Sequence, residues 1–384
     1  MLETTGESAL NVLIWTGLLL GLPGKLLLVG ELLALVRAQS ALRRARHGGV
    51  DGFPGPVTVL VAFRDEEAVL PELFKALREQ NPVPGGFRLV LVDDGSTDAG
   101  PTRVRMELPA FPGSLLLRNP GRGKTAALAH GLESIPEGIV VYTDADCRPE
   151  PGWIAGHLAE HSRGARVVLG HVVIPEPRIA ALESLLASAQ VQSGCLVGRP
   201  PFARGGNWSL HAADLRMVGG YAGLEGLGSG DDIYLLQKLV SQGLPCRFLA
   251  AAGTRVHTRA PFRSGQRTQQ RRRRYGKLPG LKGWQRWRHL LLGSAFLSLL
   301  LEGLAGLAGH ASWAGPELLA FWALAWWALD RSARRLGERR LRPDLPWLLP
   351  LWPILLLYYS LLGTLGGYRW KADPGPGPRL QEDS

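Results

Sequence analysis

Ile139-Val140-Val141-Tyr142-Thr143-Asp144-Ala145-Asp146 decides how this chain folds. The apolar and β-branched run reads as a buried strand, and the acids that follow mark where it emerges from the core. Leu89-Val90-Leu91-Val92-Asp93-Asp94 has the same form fifty residues earlier. Buried strands that end in carboxylates point to a site at the carboxyl edge of a sheet, where α/β proteins bind ligands. Carboxylates gathered there need a cation or a proton to offset their repulsion.

Outward from these runs, strands and helices alternate. Val57–Phe63 is an apolar run, and Asp65–Gln80 reads as an amphipathic helix with Leu70, Leu73, Phe74 and Leu77 on one face. Arg88–Val92 is the next strand, and Ser96-Thr97-Asp98 caps a helix that admits Pro101 in its first turn. Ser114–Leu117 is a third strand, Lys124–Ser134 a helix and Gly138–Thr143 a fourth strand. Alternation of this kind implies parallel βαβ units in a mostly parallel, Rossmann-like sheet flanked by helices.

The composition places this segment between membrane-length runs. The 384 residues carry a net charge of +11 yet are 46% hydrophobic, because apolar and arginine-rich stretches alternate as in a membrane protein with a basic cytoplasmic side. Three cysteines without metal-ligand spacing support neither a disulfide framework nor a zinc knuckle. Leu10–Val36, interrupted by Pro23-Gly24-Lys25 and Glu31, reads as a kinked spanning helix rather than a signal peptide. Leu290–Leu307 and Leu345–Gly366 are long enough to cross hydrocarbon, and Glu317–Leu329 is a shorter, tryptophan-rich segment. Arg259–Arg288 holds many cations and no Asp or Glu. Beside an apolar helix, that run suits membrane lipids and a phosphate-bearing substrate, and no nucleic-acid partner is expected.

The expected organisation is a transmembrane helix and basic flank over 1–48, a cytoplasmic catalytic domain over 55–258 and a basic interfacial segment over 259–289. C-terminal transmembrane helices over 290–367 and a flexible tail over 368–384 complete it. The expected location is a bacterial inner or cell membrane with the catalytic domain in the cytoplasm.

Each acidic motif has a plain structural reading beside its chemical one. Asp93-Asp94-Gly95-Ser96-Thr97-Asp98 is either a turn rich in cap formers or a site where a carboxylate accepts hydrogen bonds from a base or ribose. In Asp144-Ala145-Asp146, residues i and i+2 of extended backbone project to one face, so both carboxylates can meet one Mg2+ or Mn2+ ion. Gly123-Lys124-Thr125 lacks the earlier glycine of a phosphate loop, since Arg118 stands there. Arg122 and Lys124 near a helix start can still assist phosphate binding. Asp231-Asp232 opens a helix, either as a cap or as the carrier of a general base. His257 and Cys147 read as structural residues.

Taken in order, these motifs resemble those of the inverting family 2 glycosyltransferases with a GT-A fold, over about Val57 to Lys277. Ala62-Phe63-Arg64-Asp65-Glu66-Glu67 is similar to the opening strand-end motif, Asp93-Asp94-Gly95-Ser96 to the nucleotide-binding motif, and Asn119-Pro120-Gly121-Arg122-Gly123-Lys124 to the Asn/Gly/Lys segment. Gly205-Gly206-Asn207-Trp208-Ser209 resembles the acceptor-side segment, and Gly230-Asp231-Asp232 stands where the family carries its base. Arg271-Arg272-Arg273-Arg274-Tyr275 aligns with the Q-x-x-R-W of membrane-bound polymerases in its last two residues only, with Arg271 in place of glutamine.

The resemblance implies a nucleotide-sugar donor held by Ala62, Arg64, Glu66, Asp93, Asp94, Lys124, Asp144, Arg273, Arg274 and Tyr275. It implies Mg2+ or Mn2+ on Asp144 and Asp146, an acceptor against Gly206, Asn207 and Trp208, and Asp232 as base beside Asp231. The expected function is transfer of a sugar to a lipid-linked or saccharide acceptor. The alternatives are a processive polysaccharide synthase and a non-catalytic membrane scaffold or polyanion-binding protein.

Overall fold

The structure, a computed structural model, describes residues 21–40, 55–224, 230–259, 268, 271, 283–307 and 314–366. The chain divides into two compact units, one built on residues 37–260 together with Arg334–Glu338, the other on the flanking stretches.

In the first unit β1 (Val57–Phe63), β2 (Arg88–Asp93), β3 (Leu115–Arg118) and β4 (Ile139–Tyr142) pair in parallel, in the order β3-β2-β1-β4. The sheet continues through β8 (Trp208–His211), antiparallel to β4 and to β6 (Val167–Gly170), and ends at β9 (Cys246–Leu249), parallel to β6. The sheet is therefore mixed but mostly parallel. A smaller sheet sets β10 (Val256–His257) between β5 (Arg148–Pro149) and β7 (Val172–Val173).

Alternation along β1 sorts its side chains onto two faces. Val57, Val59, Val61 and Phe63 pack against α2 (Leu70–Arg78), α3 (Gly100–Glu107) and α5 (Trp153–Ser162) through Leu70, Phe74, Val104 and Trp153. Each such fully buried side chain contributes about 1.5–3 kcal/mol. On the opposite face α4 (Lys124–Glu133) lies close to the strands at Gly131, where a Cβ would come within 2.6 Å of Leu60 and 2.8 Å of Val92.

The sequence expectation fails at the first helix, which starts at Leu70 rather than Asp65. Asp65 adopts a left-handed φ of 53°, and Pro71 opens the helix. The residues between belong to a clasp with the loop after β2. Asp65 N–H donates to Ser96 Oγ (3.0 Å) while Thr97 N–H donates back to Asp65 Oδ1 (2.7 Å). Glu67 N–H donates to Asp98 Oδ2 (2.8 Å) and Ala99 N–H to Glu67 Oε2 (3.1 Å). The Thr97 amide holds the Asp65 carboxyl below its usual range.

The second unit holds most of a helix over 21–40 and of α10 (Ala314–Arg335), with α9 (Gly283–Leu307) and α11 (Leu345–Gly366), all helical as expected. Among the described residues one helix, Arg286–Gly306, is long and apolar enough to cross a membrane. That corrects the expectation of spanning helices at both ends: the one that qualifies is internal. The charges that interrupt the first apolar run are paired. Lys25 joins Glu302, and Arg288 holds Glu31 through two bonds of 2.6 and 2.9 Å. Leu27 and Leu28 pack against Leu292, Phe296 and Leu299.

Candidate active site

The parallel register brings the carboxyl ends of β1, β2 and β4 to one edge, with Phe63 opposite Asp93 and Leu60 opposite Tyr142. Backbone beyond those ends carries Glu66, Asp94 and Asp144 to the same side.

Asp93 and Asp94 divide their work. Asp93 is buried and accepts Ser96 N–H on Oδ1 (2.8 Å), which closes the turn. Asp94 Oδ1 accepts Asn119 Nδ2 (2.6 Å) and Gly123 N–H (2.8 Å), so it ties down the loop that enters α4. Gly123 has φ 91°, a conformation that side chains disfavour. That loop delivers Lys124 to Asp144, with which it forms an ion pair at Oδ1.

Asp232 arrives from the first turn of α8 (Asp231–Ser241), behind Gly230 in a left-handed conformation. A Cβ placed on Gly205 would stand 3.4 Å from Lys124 Nζ, 3.8 Å from Asp232 Oδ2 and 3.9 Å from Asp144 Oδ1. Three groups from distant stretches thus converge on one glycine. They line a narrow cavity with Tyr142, Trp208 and Tyr221. Gly206 is equally constrained, since a Cβ there would lie 2.9 Å from Cys147 Sγ.

Asp146 lies at the solvent-accessible rim. Desolvation, Asp144 and Glu66 together push its carboxyl up to about 6. Thr258 Oγ1 donates to Asp146 Oδ2 (3.2 Å), a contact that sequence reasoning missed. Ligand atoms of Asp144, Asp146 and Cys147 lie within 4.8 Å of one another. Burial and both acids hold the Cys147 thiol well above its usual range, so the oxygens are the available donors. Two carboxylates in mutual repulsion fit a hard divalent cation such as Mg2+ or Mn2+.

Other expected site residues sit elsewhere or act differently. Ala62 is a strand residue opposite Val92, and Arg64 lies 3.7 Å from Asp65 Oδ2. Asn207 is wholly buried, with its amide taken up by the core. Trp153 Nε1 and His157 Nε2 donate to its Oδ1 at 3.0 Å each, and its Nδ2 donates to His171 O at 2.7 Å. These three partners take up its amide. Burial holds His157 down to about 4, so the ring is neutral. Trp208 stacks on Tyr142 at 4.8 Å. Arg273, Arg274, Tyr275 and the Asp231 side chain lie outside the described residues.

Residues 58–186 match the family model "Glycosyl transferase family 2". The undecaprenyl-phosphate 4-deoxy-4-formamido-L-arabinose transferase of Pseudomonas fluorescens is 30% identical over 115 residues, covering 29% of this chain and 34% of that protein. An uncharacterized glycosyltransferase of Mycobacterium bovis is 31% identical over 114 residues, covering 30% of this chain and 47% of that protein. The chain thus spans between a third and a half of the length of these curated relatives. The mannosyltransferase PcManGT of Pyrobaculum calidifontis, solved with GDP-Man and Mn2+, superposes with a TM-score of 0.53 at 20% identity, over 91% of this chain and 99% of that one. That likeness shows a shared α/β, GT-A-like fold. Residues 58–186 are thus similar to the glycosyl transferase family 2 domain, set in an α/β, GT-A-like fold.

Proposed function

We propose that this protein transfers a sugar from a nucleotide-sugar donor to a lipid-linked or saccharide acceptor, with inversion at the anomeric carbon. The convergence of Lys124, Asp144 and Asp232 around Gly205 carries this reading. It gathers an ammonium and two carboxylates about one small space, and this reading assigns Lys124 and Asp144 to the donor and Asp232 to the acceptor.

In this reading the acceptor hydroxyl attacks the anomeric carbon as the bond from that carbon to the diphosphate oxygen breaks. Asp232 receives the hydroxyl proton, and the nucleoside diphosphate leaves with the bonding pair. Asp144 and Asp146 would hold Mg2+ or Mn2+, which supplies positive charge beside the leaving group. Lys124, at the start of α4, meets the diphosphate from the helix's positive end. Asp94 and Asn119 keep that end in place, and the clasp between the β1 and β2 loops shapes the nucleotide side.

The acceptor class draws support from the Pseudomonas relative, an undecaprenyl-phosphate transferase, and from the membrane-length helix Arg286–Gly306. A lipid-bound acceptor places the protein at a membrane surface, where basic residues favour anionic lipid.

The test is a panel of nucleotide sugars with Mn2+ or Mg2+, run on the parent and on Asp232→Asn. Loss of the base should slow transfer by roughly 10²–10⁴-fold while nucleotide binding persists. Parental turnover by Asp232→Asn would remove it from the chemistry.

A further inference from the structure

We infer that Lys124 is a built-in counter-ion of the acidic cleft, which releases Asp144 to the divalent cation and passes to the donor's diphosphate. The inference rests on the reading that Asp144 and Asp146 hold that cation. It adds a competition, and an order of charge, to a residue otherwise assigned to phosphate binding alone.

The geometry gives the reason. Lys124 Nζ occupies Asp144 Oδ1, one of the oxygens a cation would need. The point 3.4 Å from that ammonium is also 3.8 Å from Asp232 Oδ2, so both groups border the same small space. Asp146 is held differently, by the uncharged Thr258 hydroxyl. A divalent ion arriving at the pair therefore meets an ammonium on one carboxylate and a neutral donor on the other. Two cations on one oxygen repel, so the lysine and the metal ion weaken each other's hold on Asp144.

The backbone lets the lysine move without loosening the site. Its helix start is fixed by Gly123 N–H on Asp94 Oδ1 (2.8 Å), while the side chain is part-exposed and swings on four methylenes. When a diphosphate enters, its negative charge gives the displaced ammonium a new partner nearby. Cation and nucleotide should then bind cooperatively, because each removes the other's cost at Lys124.

The sign of one measurement separates this from a simple phosphate contact. Mn2+ binding to the full-length protein in detergent is followed by electron paramagnetic resonance, first with no nucleotide and then with GDP or UDP. Lys124→Met should bind Mn2+ alone about fivefold or more tighter than the parent, as removal of a nearby like charge requires. Lys124→Arg should stay close to the parent. With nucleotide present, the Mn2+–nucleotide cooperativity should be smaller in Lys124→Met than in the parent. Unchanged or weaker Mn2+ binding by Lys124→Met overturns the inference. If neither protein takes up Mn2+ while both bind nucleotide, the cation reading fails, and this inference with it. Lys124→Gln serves as the charge-free variant if Lys124→Met does not fold.

Discussion

Replacing Asn207 with alanine tests whether this side chain is a binding group or a structural support. The side chain is fully buried and makes three hydrogen bonds, two accepted from Trp153 and His157 and one donated to His171 O. Alanine leaves an indole N–H, an imidazole N–H and a carbonyl without partners in the interior. Each orphaned group costs about 1–3 kcal/mol, so a loss of roughly 3–5 kcal/mol is expected after relaxation or entry of water. For a unit of this size, that lowers Tm by roughly 6–20 °C. Thermal unfolding of parent and Asn207→Ala, followed by tryptophan fluorescence in the same detergent, measures the shift. Activity well below the new Tm should keep the parental KM for acceptor. A variant with parental Tm and a raised acceptor KM would refute the reasoning and return Asn207 to the acceptor site.

Two further outcomes concern the cation. Desolvation and the neighbouring Asp144 and Glu66 hold Asp146 up to about 6, so the proton-bound form grows as pH falls through that value. Mn2+ affinity should be nearly flat above about pH 7 and fall by about tenfold per unit well below 6, where each cation must displace a proton. Calorimetry at a series of pH values checks this, and a flat profile down to pH 5 would contradict it. Gly206→Ala puts a Cβ 2.9 Å from Cys147 Sγ and 3.4 Å from Asp144 Oδ2, which forces the acidic turn to shift. Its Mn2+ affinity should drop by about tenfold with a smaller effect on nucleotide alone, and parental affinity would show that the turn absorbs the methyl freely.

Much of the site's frame was legible because it rests on local pattern. β1, β2 and β4 follow directly from apolar runs, and the acids at the ends of β2 and β4 reach one edge because parallel strands share a direction. What escaped depends on partners far along the chain. The helix begins at Leu70 since residues 65–67 are claimed by a loop about thirty positions away, which no periodicity reveals. Thr258 meets Asp146 across 112 residues, through the pairing of β10 with β5. Lys25 and Glu31 read as flaws in an apolar run, because their partners Glu302 and Arg288 lie more than 250 residues on. Asn207 carried an acceptor-side expectation from its motif, but burial in three dimensions gave its amide to Trp153, His157 and His171.

The clasp between the first two loops has a thermodynamic consequence for ligand capture. Each loop supplies both donors and acceptors to the other, through Asp65 with Ser96 and Thr97 and through Glu67 with Asp98 and Ala99. Freezing such backbone at the moment of encounter would cost on the order of 1–2 kcal/mol per residue. Here that ordering is already complete in the fold, so little of a nucleotide's contact energy is diverted to arranging the platform it lands on.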